Sequence, residues 1–157
     1  REGIPDISLS TDVIVGFPGE TEEEFQDTLA VMREVRFDDA FTYKYSPRDG
    51  TPATRLPADQ FIGPEEAQDR LARLIEVHRG IQGGINRGEV GRVEEVLIEK
   101  EARDPGALLG RTRRNKVVAF PGDPARIGGY ATVTLRSTTG ATFAGEEVEA
   151  LVGADSL

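Results

Sequence analysis

The sequence contains no cysteine and no tryptophan, and only one methionine and one histidine. Without cysteine the chain can form no disulfide, no thiolate zinc site and no cysteine-held iron–sulfur cluster of its own. The lone histidine, His78, excludes a multi-histidine metal centre. No apolar run approaches the roughly 18 residues needed to cross a bilayer. The opening REGIPDISLS has neither the basic segment nor the apolar core of a signal peptide. A cytoplasmic protein with no membrane association is therefore expected. An initiator Met is missing as well, which suggests a piece of a longer protein.

Positive charge is also scarce. The 19 Lys and Arg face 28 Asp and Glu, a formal net charge of −9, a balance that ordinarily argues against nucleic acid. The deficit is uneven, however. Residues 1–85 hold 9 cations and 17 acids, whereas residues 86–157 hold 10 and 11. Four cations of the second part stand together in RTRRNK, at Arg111, Arg113, Arg114 and Lys116. Global charge does not decide what such a local patch binds.

Two stretches with different patterning remain. ISLSTDVIVGF is rich in β-branched residues, and Val13, Ile14 and Val15 form an unbroken apolar run. That predicts a strand buried on both faces, as in a parallel sheet. PGET then turns the chain, and Thr21 with Glu24 forms a T-x-x-E capping box. Glu22 and Glu23 favour the positive end of the helix dipole. Phe25, Leu29, Met32 and Val35 recur at helical spacing, which predicts a helix to about Arg36. AFTYKY follows as a second strand, completing one βαβ unit, too little to close a sheet.

Residues 46–63, SPRDGTPATRLPADQFIG, read as a long surface loop. Pro64 fits the first position of a second helix. Leu71, Leu74, Ile75, His78 and Ile81 give that helix an apolar stripe, and Gly83-Gly84 is expected to end it. From about Asn86, five short β-rich runs separated by Gly, Pro and Asp turns predict a small antiparallel barrel. A domain boundary is expected between Gly83 and Asn86.

The Gly-Phe-Pro-Gly turn at Gly16–Gly19 is not a phosphate loop. It lacks the Lys of a P-loop and the G-x-G-x-x-G of a dinucleotide fold, and Glu20 beside it would repel phosphate. Asp12 is less easily explained, because an ionised carboxylate in an apolar strand is costly without partners. Two readings stand: a purely structural strand residue, or a carboxylate facing a pocket where it binds ribose hydroxyls. Ser46 and Arg48 follow a strand end, where α/β barrels keep their active-site loops; a Pro-braced connection with a solvated Arg reads the same residues more simply. The cations of GRTRRNK could contact phosphates or form an ordinary solvated face. Phe120 reads as core, with a stacking surface as the alternative. His78 reads as a buried or boundary histidine, and Glu22–Glu24 as a solvated helix start. No metal ligand is expected in this chain.

Taken together, DVIVGFPGETEEEF, VMREVRFDDAFTYKYSPRDGTPA and NRGEVGRVEEVLIEK with GRTRRNKVVAF resemble the C-terminal half of the radical-SAM methylthiotransferases, from about Ile7 to Val148. The resemblance implies the last strands and helix of a partial (β/α) barrel at 1–83. It implies a TRAM domain, a small RNA-binding β-barrel, at 86–150, with a tail at 151–157. GRTRRNKVVAF is closer to the members that methylthiolate N6-isopentenyladenosine beside the tRNA anticodon than to those acting on a ribosomal protein. The implied cofactors are S-adenosylmethionine (SAM) and two [4Fe-4S] clusters, and the implied partner is the anticodon stem-loop of tRNA.

By the same resemblance, Asp12 would bond the SAM ribose, and Val15, Gly16 and Phe17 would line the adenine side. Ser46 and Arg48 would stand near the substrate mouth. Arg111, Arg113, Arg114 and Lys116 would grip tRNA. The family's C-x-x-x-C-x-x-C motif and its three further cysteines have no counterpart here. No catalytic residue is therefore assigned, the cluster-bearing N-terminal domains are expected elsewhere, and the chain alone is expected to be inactive. The barrel at 86–150 should fold alone, whereas 1–83 should need a partner for its open sheet. Two alternatives are a non-catalytic TRAM-type RNA-binding protein and a methylthiotransferase acting on a ribosomal protein.

Overall fold

The computed structural model describes residues 2–148, so the expected tail at 151–157 lies outside the described residues. The chain divides into two compact units, one up to Gly84 and one from Ile85.

In the first unit β1 (Ser10–Val15) and β2 (Asp39–Lys44) pair in parallel, with α1 (Glu22–Val35) between them in sequence. The register sets Asp12 opposite Phe41, and Ile14 opposite Tyr43. The capping box forms at the start of α1. Thr21 Oγ1 accepts from the Glu24 amide at 3.2 Å, and Glu24 Oε2 accepts from the Thr21 amide at 2.8 Å. Arg36 ends the helix in the left-handed region with φ 54°, its N–H donating to the Met32 carbonyl. Phe25, Leu29 and Met32 are buried, as are Val15 and, from α2 (Pro64–Glu89), Ala67, Leu74 and Ile81.

Arg73 of α2 reaches back to Glu22 of α1, with Nη2 to Oε1 at 2.5 Å, and lies 4.7 Å over the Phe25 ring. The hydrogen bonds from Arg73 and Gln26 hold the Glu22 carboxyl down at about 2. At the other end of β1, Asp38 Oδ2 accepts from the Leu9 amide at 3.0 Å, which anchors the start of that strand.

Two expectations change here. β1 is not buried on both faces: Asp12 and Ile14 are exposed, as are Phe41 and Tyr43 across the register. A two-stranded sheet carrying its helices on one side leaves its other face to solvent. Gly83-Gly84 also does not end the second helix, which continues to Glu89. Glycine costs only about 1 kcal/mol relative to alanine inside a helix. Contacts farther on offset that cost: Asn86 Nδ2 donates to the Gly140 carbonyl at 2.6 Å, and Glu89 pairs with Arg114 at 2.6 Å.

The second unit is a closed five-stranded barrel of β3 (Val93–Glu101), β4 (Ala107–Thr112), β5 (Val117–Pro121), β6 (Tyr130–Thr138) and β7 (Thr142–Glu147), in the order β3-β4-β5-β7-β6. Every pairing is antiparallel except β5 with β7, which is parallel. The five strands fall on the five β-rich runs of the sequence because small turns separate runs with strict inward alternation. Val96, Ile98, Leu108, Val118, Phe120, Ala131, Val133, Leu135 and Phe143 fill the interior. Phe120 is therefore core and unavailable for stacking. Gly110 lets β4 approach β3, since a Cβ there would run into the Val96 side chain and the Leu97 carbonyl. Arg126 grips Glu147 of β7 with two contacts at 2.6 Å, which lowers the Glu147 carboxyl and raises the Arg126 guanidinium. No helix among the described residues is long and apolar enough to cross a membrane.

Candidate functional site

The C-terminal ends of β1 and β2 are where an α/β sheet places its ligands. There the chain makes a type II turn. The Phe17 carbonyl accepts from the Glu20 amide at 2.9 Å, Pro18 supplies the first central residue, and Gly19 supplies the positive φ of 85° that the second requires. Gly16, also left-handed at φ 73°, lies against Ala67 of α2.

The donors of this turn are committed internally. Gly16 N–H donates to Glu20 Oε1 at 2.9 Å, and Gly19 N–H to the Gln60 carbonyl at 2.8 Å. Glu20 in turn is met by Arg70 of α2, whose Nη1 reaches its Oε1 at 2.6 Å and its carbonyl at 2.9 Å. Nη2 of Arg70 pairs with Glu66, and the Arg70 side chain is only 2% exposed. The turn therefore cradles no anion, and for a stronger reason than the charge of Glu20. The Gly16, Gly19 and Glu20 amides already donate to Glu20 Oε1, the Gln60 carbonyl and the Phe17 carbonyl, and Glu20 faces inward as the acceptor for Gly16.

Arg70 escapes a reading of the sequence alone. It sits on the same helical stripe as Ala67, Leu74, His78 and Ile81, all buried. A cation on that stripe with Glu66 four residues before it was the available signal.

Beside the turn lies a cavity of about 250 Å³ lined by Gly16, Lys44, Tyr45, Pro47, Phe61, Ile62, Pro64 and Ala67. The Tyr45 hydroxyl is buried with no hydrogen-bond partner among the described residues. Its ring meets Phe17 edge-on at 5.1 Å. Lys44 Nζ donates to Gln68 at 2.9 Å and so reaches α2.

The residues expected at the SAM site separate. Asp12 lies on the open sheet face with Ile14, Phe41 and Tyr43, and its carboxylate has no partner among the described residues. Gly16 lines the cavity, and Phe17 is exposed, its ring meeting the lining residue Tyr45. Val15 is different: its side chain is fully buried on the face opposite Asp12, so it cannot present that side chain to a ligand held by Asp12. Ser46 and Arg48 are exposed and do not line the cavity; Pro47 between them does. The Arg48 carbonyl accepts from both the amide and the hydroxyl of Thr51, which curls this loop into a turn.

The four cations expected to grip RNA also separate. Arg111 Nε donates to Glu99 at 3.2 Å and its Nη1 to Asn115 Oδ1 at 3.0 Å. Arg113 pairs with Glu95 at 3.2 Å yet is 83% exposed. Arg114, by contrast, is largely covered and paired with buried Glu89. Lys116 is buried. Strand alternation sends Arg111 and Arg113 outward on either side of buried Thr112. Asn115 at φ 62° then turns the chain, and Lys116 lands inside. A shared patch of four cations is therefore corrected to two.

Arg111 and Arg113 border a surface groove of about 410 Å³ on the barrel, lined also by Glu95, Leu97, Glu99, Thr112, Asn115 and Tyr130. Tyr130 is a residue that sequence patterning assigned only to a strand.

Comparison with known proteins adds to this geometry. The TRAM domain family matches residues 87–146, the extent of the barrel. Over 149 residues the chain is 45% identical to a tRNA-2-methylthio-N(6)-dimethylallyladenosine synthase of Methylobacillus flagellatus, covering 94% of this chain and 33% of the relative. A protein of the same description from Alkaliphilus oremlandii is 42% identical over 150 residues, 95% of this chain and 31% of the relative. Another from Acetivibrio thermocellus is 48% identical over 139 residues, 87% of this chain and 28% of the relative. The chain is thus homologous to the C-terminal part of these enzymes and spans about a third of the length of the curated relatives it matches.

Proposed function

We propose that this chain belongs to a radical-SAM methylthiotransferase acting on N6-isopentenyladenosine in tRNA. Its first unit would supply part of the SAM and substrate site, and its TRAM barrel would hold the RNA. The observation that carries the reading is identity of 45% running through 94% of the chain, across both units, to a tRNA-2-methylthio-N(6)-dimethylallyladenosine synthase.

The open face of the first unit is consistent with this. Asp12 offers two acceptor oxygens to the solvent-facing side of the sheet, with Ile14, Phe41 and Tyr43 as apolar neighbours. That combination suits a ligand with hydroxyls at one end and a flat ring beside them. SAM, when bound, supplies the radical source and the methyl group. This chain's own contribution would be to accept hydrogen bonds from ribose hydroxyls at Asp12 and to present Gly16 and Phe17 beside the base. The rigid Glu20–Arg70 pair would hold the turn that carries them.

The iron–sulfur clusters fit no residue here, because the chain has no cysteine. Their ligands would come from other parts of the parent protein, and a coding sequence without the C-x-x-x-C-x-x-C motif would defeat the enzyme assignment.

Deletion of the parent gene, followed by mass spectrometry of tRNA nucleosides, tests the substrate. The methylthio form of isopentenyladenosine should disappear and the unmodified form accumulate. Unchanged nucleosides with a lost modification on a ribosomal protein would move the assignment to the protein-directed members. Within the parent protein, Asp12→Asn should weaken SAM binding in equilibrium dialysis by roughly 10-fold or more, the loss of a charge-assisted hydrogen bond.

A further inference from the structure

We infer that the barrel groove between β3, β4 and β6 seats one unstacked nucleobase of RNA and prefers a base with an exocyclic amino group. The inference rests on the reading of the barrel as an RNA-binding module and gives that module a specific subsite.

Strand register builds the subsite. Leu97 of β3 is paired on one side with Arg111 of β4 and on the other with Tyr130 of β6. An aromatic ring, an aliphatic side chain and a guanidinium therefore stand in one row across three strands, and all three line the groove. Tyr130 is 65% exposed, so its ring contributes little to the core. A base laid on an aromatic ring gains roughly 5- to 150-fold in affinity, and half-buried Leu97 extends the apolar floor.

The carboxylates decide what enters. Glu95 and Glu99 line the same groove, and carboxylates repel a phosphate running through it. They are acceptor-only groups, and the amino groups of adenine, cytosine and guanine are donors, whereas uracil has none. The base is thus the part of the nucleotide whose chemistry fits.

Phosphate has a place at the rim. Arg113 is 83% exposed and its pairing with Glu95 is a surface one. Such pairs contribute little, because solvent screens them and two long side chains must be held in place. A phosphate can take the guanidinium and release Glu95 to accept from the base.

The test is fluorescence anisotropy of the full chain with labelled single-stranded oligo(A), oligo(C) and oligo(U) octamers over a range of salt. Oligo(A) and oligo(C) should bind more tightly than oligo(U). Tyr130→Ala and Tyr130→Leu should each weaken oligo(A) binding by about fivefold or more without changing its salt dependence, because no phosphate contact is lost. Tyr130→Phe should bind like the parent chain. Arg113→Ala should reduce the salt slope instead, and Glu95→Gln with Glu99→Gln should shrink the preference for oligo(A) over oligo(U). Undiminished binding in both Tyr130→Ala and Tyr130→Leu, or equal affinity for oligo(A) and oligo(U), overturns the subsite while leaving salt-sensitive RNA binding by the barrel intact. No binding of any RNA by the unaltered chain overturns both.

Discussion

Arg70 and Glu20, 50 residues apart in sequence, meet at 2.6 Å, and the same carboxylate oxygen accepts from the Gly16 amide at 2.9 Å. One buried ion pair thereby fixes the turn after β1. The turn lies next to the open sheet face, so its rigidity is a condition for any ligand held there.

Arg70→Met should therefore be more damaging than its distance from that face suggests. It leaves Glu20 covered and without its cation, a change that costs about 3 kcal/mol or more. Urea unfolding followed by circular dichroism measures the loss. Hydrogen exchange should show the Gly16 amide opening faster. The double change Glu20→Gln with Arg70→Met should be milder than Arg70→Met alone, because the covered carboxylate is then gone and Glu66, left without Arg70, is exposed. A single variant as stable as the parent chain would refute the role given to the pair.

Gly16→Ala should destabilise the first unit by about 1–2 kcal/mol, the cost of a left-handed conformation for a residue with a Cβ. The new Cβ would also stand 3.0 Å from that of Ala67. Adding Ala67→Gly should recover only the steric part. Denaturation midpoints of the three proteins separate the two terms, and full recovery in the double variant would show that backbone strain is absent.

Acid should weaken the contact between α1 and α2. The Glu22 carboxyl is held at about 2, against an ordinary 4.5, first by the Arg73 hydrogen bond and then by Gln26. A lowered carboxyl stabilises the folded state above its unfolded pKa. That stabilisation is lost as the pH falls from about 4.5 toward 2. In melting experiments across this window, the parent chain should lose its advantage over Glu22→Gln. A constant difference in melting temperature would contradict the linkage.

Arg113→Ala and Arg114→Ala should fail in different ways. Arg114 is the partner of buried Glu89 at 2.6 Å, so its removal should lower barrel stability by about 3 kcal/mol. Arg113 is exposed, and its removal should leave stability within about 0.5 kcal/mol while weakening RNA binding. Thermal melts combined with RNA titrations distinguish them. Equal melting temperatures for the two variants would restore Arg114 to the surface patch.

Much of the local structure was legible in the sequence. The Thr21–Glu24 box starts α1 where T-x-x-E stands, because a cap needs only residues within one turn of each other. The five barrel strands follow the β-rich runs for a similar reason. Less legible was the end of α2. Gly83-Gly84 looks like a stop, but Asn86 and Glu89 gain partners at Gly140 and Arg114, far along the chain. The candidate site was legible by residue type and not by direction. Asp12 lies on the open face and Phe17 is exposed, while Val15 turns inward and Gly16 is buried against Ala67 at the cavity. GRTRRNK displays four cations of which the fold exposes Arg113, leaves Arg111 at the groove and buries Lys116.

By itself the sequence determined which chemistry this chain cannot supply, since a residue type that is absent can ligate nothing, and it determined the order of elements, since caps and periodicities act over a few residues. Only the tertiary structure decided which charges are paired and which faces stay open. Arg70 finds Glu20, and Leu97 stands between Arg111 and Tyr130, because separate segments fold back on one another. Burial and charge pairing arise from that return of the chain, and no local pattern encodes it.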